Sequence, residues 1–290
     1  MVHRQQKSAA LPQRVSAHLF LAGVARSLTS CVKTMSAESI TATELMQQLA
    51  AAGSPTRAER EKSYLKSHLT FLGVAVPVIR QHARAFAKAH AEMDRGDLKR
   101  LALTLWTTEV HEARSLALAI CERRVDAFRS TDLAWILALV DNSNTWAHVD
   151  WLAVKVIGGM VARTPRLEHK LDEWALHKNF WVRRTALLAL HDQLIAGTGN
   201  FARFARIAAL MLHEREFFIR KAIGWVLRST ARKTPERTIT FVKRHASEMA
   251  ALTFREATRN LPVSQQRNLL RLRETSMHPK AKRRLRDRSM

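Results

Sequence analysis

Cysteine is almost missing: Cys31 and Cys121 are the whole complement of a 290-residue chain. Two distant thiols make neither a disulfide framework nor a paired-cysteine metal clip. A reducing, cytoplasmic setting is the simplest reading. No stretch of 18 or more apolar residues occurs, so nothing is expected to span a membrane. The thirteen histidines never fall in a His-x-x-x-His or His-Glu-x-x-His pattern, so no metal site is expected. There is no Gly-rich phosphate loop and no Gly-x-Ser-x-Gly. Nucleotide hydrolysis and serine-hydrolase chemistry are disfavoured, and no cofactor is expected. Nine glycines and one tyrosine are few for an all-β chain, whereas Ala, Leu and Arg are plentiful, which favours helices.

Negative charge is also short. Lys and Arg number 48 against 25 Asp and Glu, a net charge of +23. Such an excess points to a polyanionic partner, nucleic acid first and an acidic membrane second. Residues 1–34 hold no acid and five cations, Arg4, Lys7, Arg14, Arg26 and Lys33, around the apolar run Leu19 to Ala25. That is the make-up of a targeting segment. It also fits a dispensable start ahead of Met35, and this second reading is the one taken. The C-terminal stretch from Arg267 to Met290 holds nine Lys/Arg against Glu274 and Asp287; it is expected to stay disordered until it meets phosphate. About half of the excess charge remains between these ends, so the body itself is basic. The expected division is a basic leader (1–34), a helical-repeat domain (35–262), then a last helix with the basic tail (263–290).

From about residue 40 the pattern is helical throughout. Ala52-Gly-Ser-Pro-Thr56 breaks the first helix, and Phe71-Leu-Gly-Val-Ala-Val-Pro77 is a loop feeding a helix with Pro77 near its first turn. Further helices are expected at about 97–105, 109–124, 131–141, 146–163, 167–177, 179–195, 201–213, 216–232, 236–246 and 262–274. Thr164-Pro165 and Thr234-Pro235 end the long helices of their repeats. No convincing alternating strand is found.

The helices repeat. Phe180-Trp-Val-Arg-Arg-Thr-Ala-Leu-Leu-Ala-Leu190 aligns with Phe217-Phe-Ile-Arg-Lys-Ala-Ile-Gly-Trp-Val-Leu227, and Asn144-Thr-Trp-Ala-His-Val-Asp-Trp-Leu152 aligns with the stretch from Asn179. His111-Glu-Ala-Arg-Ser-Leu-Ala-Leu118 stands one repeat upstream. A period of about 35 residues built of two helices is the mark of an α-solenoid, in which neighbouring pairs bury each other's apolar faces. The expected fold is therefore all-α, a C-shaped stack of HEAT-like repeats with a basic concave face.

Departures from the register mark candidate functional residues. Asp150 stands where the other repeats carry Ser115, Thr185 and Ala222, and a carboxylate buried there without a partner would be costly. Trp225 stands where they carry Leu118, Ala153 and Leu188. Trp146 lies one helical turn before Asp150, but it aligns with Trp181 and Phe218, so packing accounts for it equally well. Arg184 matches Arg114 and Lys221, which leaves a solenoid salt bridge and a phosphate contact both open. His148, two residues from Trp146 and Asp150, faces another side of the helix.

Four stretches in order, Ser63-Tyr-Leu-Lys-Ser-His-Leu-Thr-Phe-Leu-Gly-Val74, Asn144-Thr-Trp-Ala-His-Val-Asp150, Trp181-Val-Arg-Arg-Thr-Ala186 and Glu216-Phe-Phe-Ile-Arg-Lys-Ala-Ile-Gly-Trp225, resemble the AlkD-like DNA alkylation repair glycosylases. The resemblance covers about residues 40 to 262. It implies HEAT-like repeats and a monofunctional glycosylase that removes cationic alkylated purines, chiefly 3-methyladenine and 7-methylguanine, from duplex DNA. It also implies that sugar and backbone are contacted without base flipping. Asp150 matches the family's central carboxylate, Trp146 and Trp225 the aromatics lining its cleft, Arg184 the basic residue near the phosphate backbone, and Tyr64 a DNA-facing residue of the first helices. Arg183, Arg220 and Lys221, with the tail's Lys280, Lys282, Arg283 and Arg284, complete the candidate DNA contacts. The chain departs from the family at Thr145, where a second aromatic is common, and at Ala147 and His148, which replace a more polar pair. The implied partner is duplex DNA carrying alkylated bases, bound by a monomer without metal or membrane. The alternatives are a non-catalytic helical-repeat protein that recognises damaged or distorted DNA, and a protein-interaction scaffold.

Overall fold

A computed structural model describes residues 37–277. The leader and the tail cations Lys280, Lys282, Arg283 and Arg284 lie outside the described residues. Among the described residues sixteen α-helical segments follow one another: α1 (Ala37–Ala51), α2 (Pro55–Leu65), α3 (Val76–Ala89), α4 (Arg95–Thr107), α5 (His111–Arg123), α6 (Leu133–Asp141), α7 (Trp146–Trp151), α8 (Gly158–Arg163), α9 (His169–Trp174), α10 (Phe180–Leu188), α11 (His191–Ala196), α12 (Phe201–Leu210), α13 (Phe217–Thr230), α14 (Pro235–His245), α15 (Ala251–Thr258) and α16 (Val263–Met277). Among the described residues the only strand-like feature is one isolated bridge, Thr70 to Val110.

The helix starts follow local chemistry. Pro lies in the first turn of α2, α3 and α14, where its missing N–H costs nothing. The side chains of Asp94, Thr145, Asn179, Asn200 and Glu216 accept N–H bonds in the first turns of α4, α7, α10, α12 and α13. Thr145 thus serves as a cap, buried at the mouth of its helix.

An inner row of helices packs in series: α3 on α5, α7 and its continuation on α5 and α10, α10 on α13, and α13 on α15. Outer helices cover them, α4 on α5, α6 and α9 on α10, α14 on α15. The repeat is visible here as stacked pairs, with Leu116, Leu118, Ile157, Phe204 and Ile223 sealed between layers. Each such side chain contributes about 2 kcal/mol.

Three expectations need adjustment. The helix expected over 146–163 is continuous, but Leu152–Ile157 forms a π-turn between α7 and α8. The wider turn takes up an extra residue and rotates α8 relative to Asp150. The helix expected over 179–195 breaks at Ala189–Leu190. Gly158 lies against this end, where a Cβ would come within 2.8 Å of the Ala189 carbonyl. The third adjustment is α15, which was not expected, although Phe254 and Ala257 continue the register of Ile219 and Ala222.

Candidate active site

Asp150 lies near the end of α7 with its side chain 15% exposed. Arg184, on α10 of the next repeat, grips it in a two-pronged ion pair: Nε to Oδ1 at 2.6 Å and Nη2 to Oδ2 at 2.8 Å. The remaining Nη1 donates to the Phe218 carbonyl on α13, and the guanidinium lies over the Phe218 ring, 5.9 Å from its centroid. One arginine thus ties three consecutive inner helices together. The register mates of Asp150, namely Ser115, Thr185 and Ala222, are buried. Asp150 is therefore a carboxylate set where the scaffold needs a small residue, and its charge is matched by a fixed cation. Both oxygens keep a second lone pair that can accept from a ligand.

Arg184 is only 3% exposed, and Arg114 is also buried, donating to the Trp106 carbonyl at 2.8 Å and lying over the Trp106 ring. The two share a bracing role between helices. A phosphate would have to draw the Arg184 guanidinium off Asp150 to contact it.

Trp146 is half-buried, and Tyr64 meets it edge-on at 5.9 Å between ring centroids. Tyr64 is 73% exposed and stands at the last turn of α2. An aromatic pair open to solvent at this position can stack against sugar or base. Trp225, also half-buried, sits one helix further than Arg184, on α13, where Leu118, Ala153 and Leu188 are sealed. Its ring leans on His191, 4.6 Å away, a contact the sequence did not suggest because 191 was expected inside a continuous helix.

The other candidate cations, on α10 and α13, are tied down. Arg183 pairs with Glu214 through two 2.7 Å contacts and caps the His177 carbonyl. Arg220 donates to the Glu214 carbonyl at 2.7 Å. Lys221 reaches Glu256 at 2.6 Å, and Arg228 bonds the other oxygen of the same carboxylate. Burial alone would raise the Glu256 pKa, but the bond from Lys221 and the charges of Arg228, Lys221 and Arg259 outweigh it and lower the value. These cations contribute positive potential, while each already has a partner within the protein.

Behind α7 lies a stack of rings. Phe71 stacks on His111 and His111 on His148, each at 4.5 Å, and His148 meets Trp106 at 5.6 Å. His148 bonds the Ser115 hydroxyl and the His111 carbonyl, on a different helix side from Asp150 and its Arg184 partner, as its spacing predicted. Burial and Arg114 push His111 down to about 4, and burial together with the charges of His111 and Arg114 holds His148 well below its usual value. Both are therefore neutral in the folded state at physiological pH. Between the ordinary histidine pKa and about pH 4 the unfolded chain binds more protons than the folded one. Stability is full above pH about 6.5 and declines as pH falls through that window. Glu112, raised by burial, has the opposite sign and offsets part of the loss at the acid end. The denaturation midpoint should drop from pH 7.5 to pH 5, with a shallower drop in His148→Phe. A midpoint flat across this range would contradict the neutral-pair account.

A family model described as "DNA alkylation repair enzyme" matches residues 45–261, which hold every element of this site. The chain belongs to the DNA alkylation repair enzyme family. Among solved structures it is similar to a predicted DNA alkylation repair enzyme from Enterococcus faecalis, at 23% identity over 73% of this chain and 97% of that one, with a TM-score of 0.66. AlkD2 from Streptococcus mutans matches at 18% identity over 80% of this chain and 99% of that one, with a TM-score of 0.47. A comparison with curated proteins finds no match. Membership assigns the chain to the enzymatic repair of alkylated DNA and to an all-helical fold. No helix of the described residues is long and apolar enough to cross a membrane.

Proposed function

We propose that the chain is a monofunctional DNA glycosylase that hydrolyses the N-glycosidic bond of cationic alkylated purines, 3-methyladenine and 7-methylguanine, in duplex DNA. The observation that carries this reading is Asp150, a carboxylate out of repeat register, held by Arg184 through both oxygens. Methylation at N3 or N7 makes the purine a cation and a good leaving group, so the departing base needs no strong general acid. As the bond breaks, its electron pair goes to the base and positive charge develops on the sugar. A prearranged anion stabilises that charge and orients the water whose oxygen adds to the anomeric carbon. The water's proton leaves to the carboxylate or to solvent. Trp146 and Trp225 offer ring faces to the same charge. Arg184 sets the plane of the Asp150 carboxylate, and the basic body and tail hold the phosphates.

Incubation with methylated duplex should release free 7-methylguanine and leave abasic sites. Tight binding of the methylated duplex without base release would favour the alternative, a non-catalytic reader of damaged DNA. The tail gives a separate expectation. Deleting residues 278–290 removes Lys280, Lys282, Arg283, Arg284, Arg286 and Arg288. Binding should weaken and the slope of log K against log salt should flatten, while the single-turnover rate stays nearly unchanged. An unaltered slope would assign the tail another role.

A further inference from the structure

Between the two halves of the site runs a polar chain that the proposed reaction does not use directly. Lys155, in the π-turn just beyond Asp150, bonds Asp192 Oδ2 at 2.5 Å. The other oxygen of Asp192 meets His191 Nδ1 at 3.1 Å. His191 Nε2 faces the Ser229 hydroxyl at 3.3 Å, and the imidazole lies against the Trp225 ring at 4.6 Å with an interplanar angle of 51°. Lys155 belongs to the helix of Asp150, His191 and Asp192 open α11, and Trp225 and Ser229 lie on α13.

Trp225 and Ser229 are four residues apart and share one face of α13. His191 grips that face at two points, by ring contact at one and by hydrogen bond at the other. His191 and Ser229 are buried, 7% and 8% exposed. Both imidazole nitrogens are partnered, so the ring cannot rotate without breaking a buried hydrogen bond. A leucine or phenylalanine would fill the space but would not fix the azimuth. Asp192 is held ionised below the ordinary carboxylate range, because the bonds from His191 and Lys155 and the Lys155 charge outweigh the effect of burial. The order carboxylate, imidazole, hydroxyl has the form of a hydrolytic triad. Ser229, however, is sealed in the interior of α13, so the arrangement works as a support.

The geometry points to His191 as the positioning residue that sets the Trp225 ring relative to Asp150, through Ser229 on one side and Asp192–Lys155 on the other. This rests on the glycosylase reading, in which Trp225 faces the charge developing on the sugar. A cation–π contribution depends on the ring plane, so a loosened Trp225 should slow the chemical step more than it weakens binding of DNA.

The test uses the full chain with His191→Leu and His191→Asn. Single-turnover release of 7-methylguanine, the Kd for the methylated duplex, and acrylamide quenching of Trp225 emission, isolated by difference against Trp225→Phe, are measured well below each melting temperature. His191→Leu should release base about tenfold more slowly with Kd within about twofold of wild type, and Trp225 emission should become more open to quencher. His191→Asn, which restores a polar partner for Asp192, should recover most of the rate. A wild-type rate in His191→Leu, a loss confined to Kd, or His191→Asn as slow as His191→Leu would overturn the assignment. If the wild type releases no base, the glycosylase reading fails by itself. The quenching comparison then decides whether His191 fixes the ring, and unchanged quenching in His191→Leu overturns it.

Discussion

Asp150→Asn is expected to slow release of 7-methylguanine from methylated duplex DNA about tenfold or more, at least about 1.4 kcal/mol of barrier. The substitution keeps the shape of the side chain and removes its charge, so the loss reports electrostatic stabilisation of the sugar cation. Asp150 also answers a buried cation. Without it, Arg184 keeps the Phe218 carbonyl but only one uncharged oxygen at the carboxylate position. Breaking a buried ion pair costs about 3 kcal/mol or more, reduced here because the Asp150 side chain is 15% exposed. A lower melting temperature is therefore expected alongside the lower rate, and release should be measured where both proteins are fully folded. The Kd for the methylated duplex should change far less than the rate. Equal release by Asp150→Asn and wild type would move the chemistry to another group.

The candidate site was legible in the sequence where it broke a period, and hidden where it depended on partners in the next repeat. Asp150 and Trp225 stood out because their register mates, Ser115, Thr185 and Ala222 for one and Leu118, Ala153 and Leu188 for the other, are small or aliphatic. The structure buries those mates and leaves both departures partly open. Arg184 was undecided between brace and phosphate contact, since its partner lies about one repeat away and no local pattern encodes the pairing. For the same reason Arg183 and Lys221 read from the sequence as candidate DNA contacts, while Glu214 and Glu256 pair with them across the repeat interface. His191 was missed because nothing between Thr185 and Gln193 signals a helix break. The short helix α15 lacks a strong pattern of its own, yet the register of Ile219 and Ala222, carried forward, lands on Phe254 and Ala257. Extending the period would have found it, and with it the carboxylate Glu256 opposite Lys221.

Glu112→Ala is expected to be among the most destabilising single changes in the chain. Glu112 has no solvent exposure, yet it neighbours His111 in the first turn of α5. Its carboxylate accepts three backbone N–H groups from the loop after α2: Leu72 at 2.9 Å, Gly73 at 2.6 Å and Val74 at 3.3 Å. The loop can offer them in a row because Gly73 has φ +77, and any Cβ there would meet the Ser54 carbonyl at 2.1 Å. The loop is also pinned by Thr70, which exchanges backbone bonds with Glu109 and His111. Removing the carboxylate strands three donors, those of Gly73 and Val74 buried and that of Leu72 partly so, at about 1–3 kcal/mol each before relaxation. A net loss of about 3–5 kcal/mol and a fall in Tm of about 10 °C are expected. The loss should reach the candidate site, because the clamped loop carries Phe71, whose ring supports His111 and His148 behind α7, and adjoins Ser67 and His68, which hold Asn144 just before Trp146. Tyr64 precedes the same loop and meets Trp146. Glu112→Gln, which keeps one acceptor oxygen, should fall between wild type and Glu112→Ala in Tm. A melting temperature for Glu112→Ala within about 2 °C of wild type would mean that the loop finds other acceptors and that the clamp does not hold the first helices against α7.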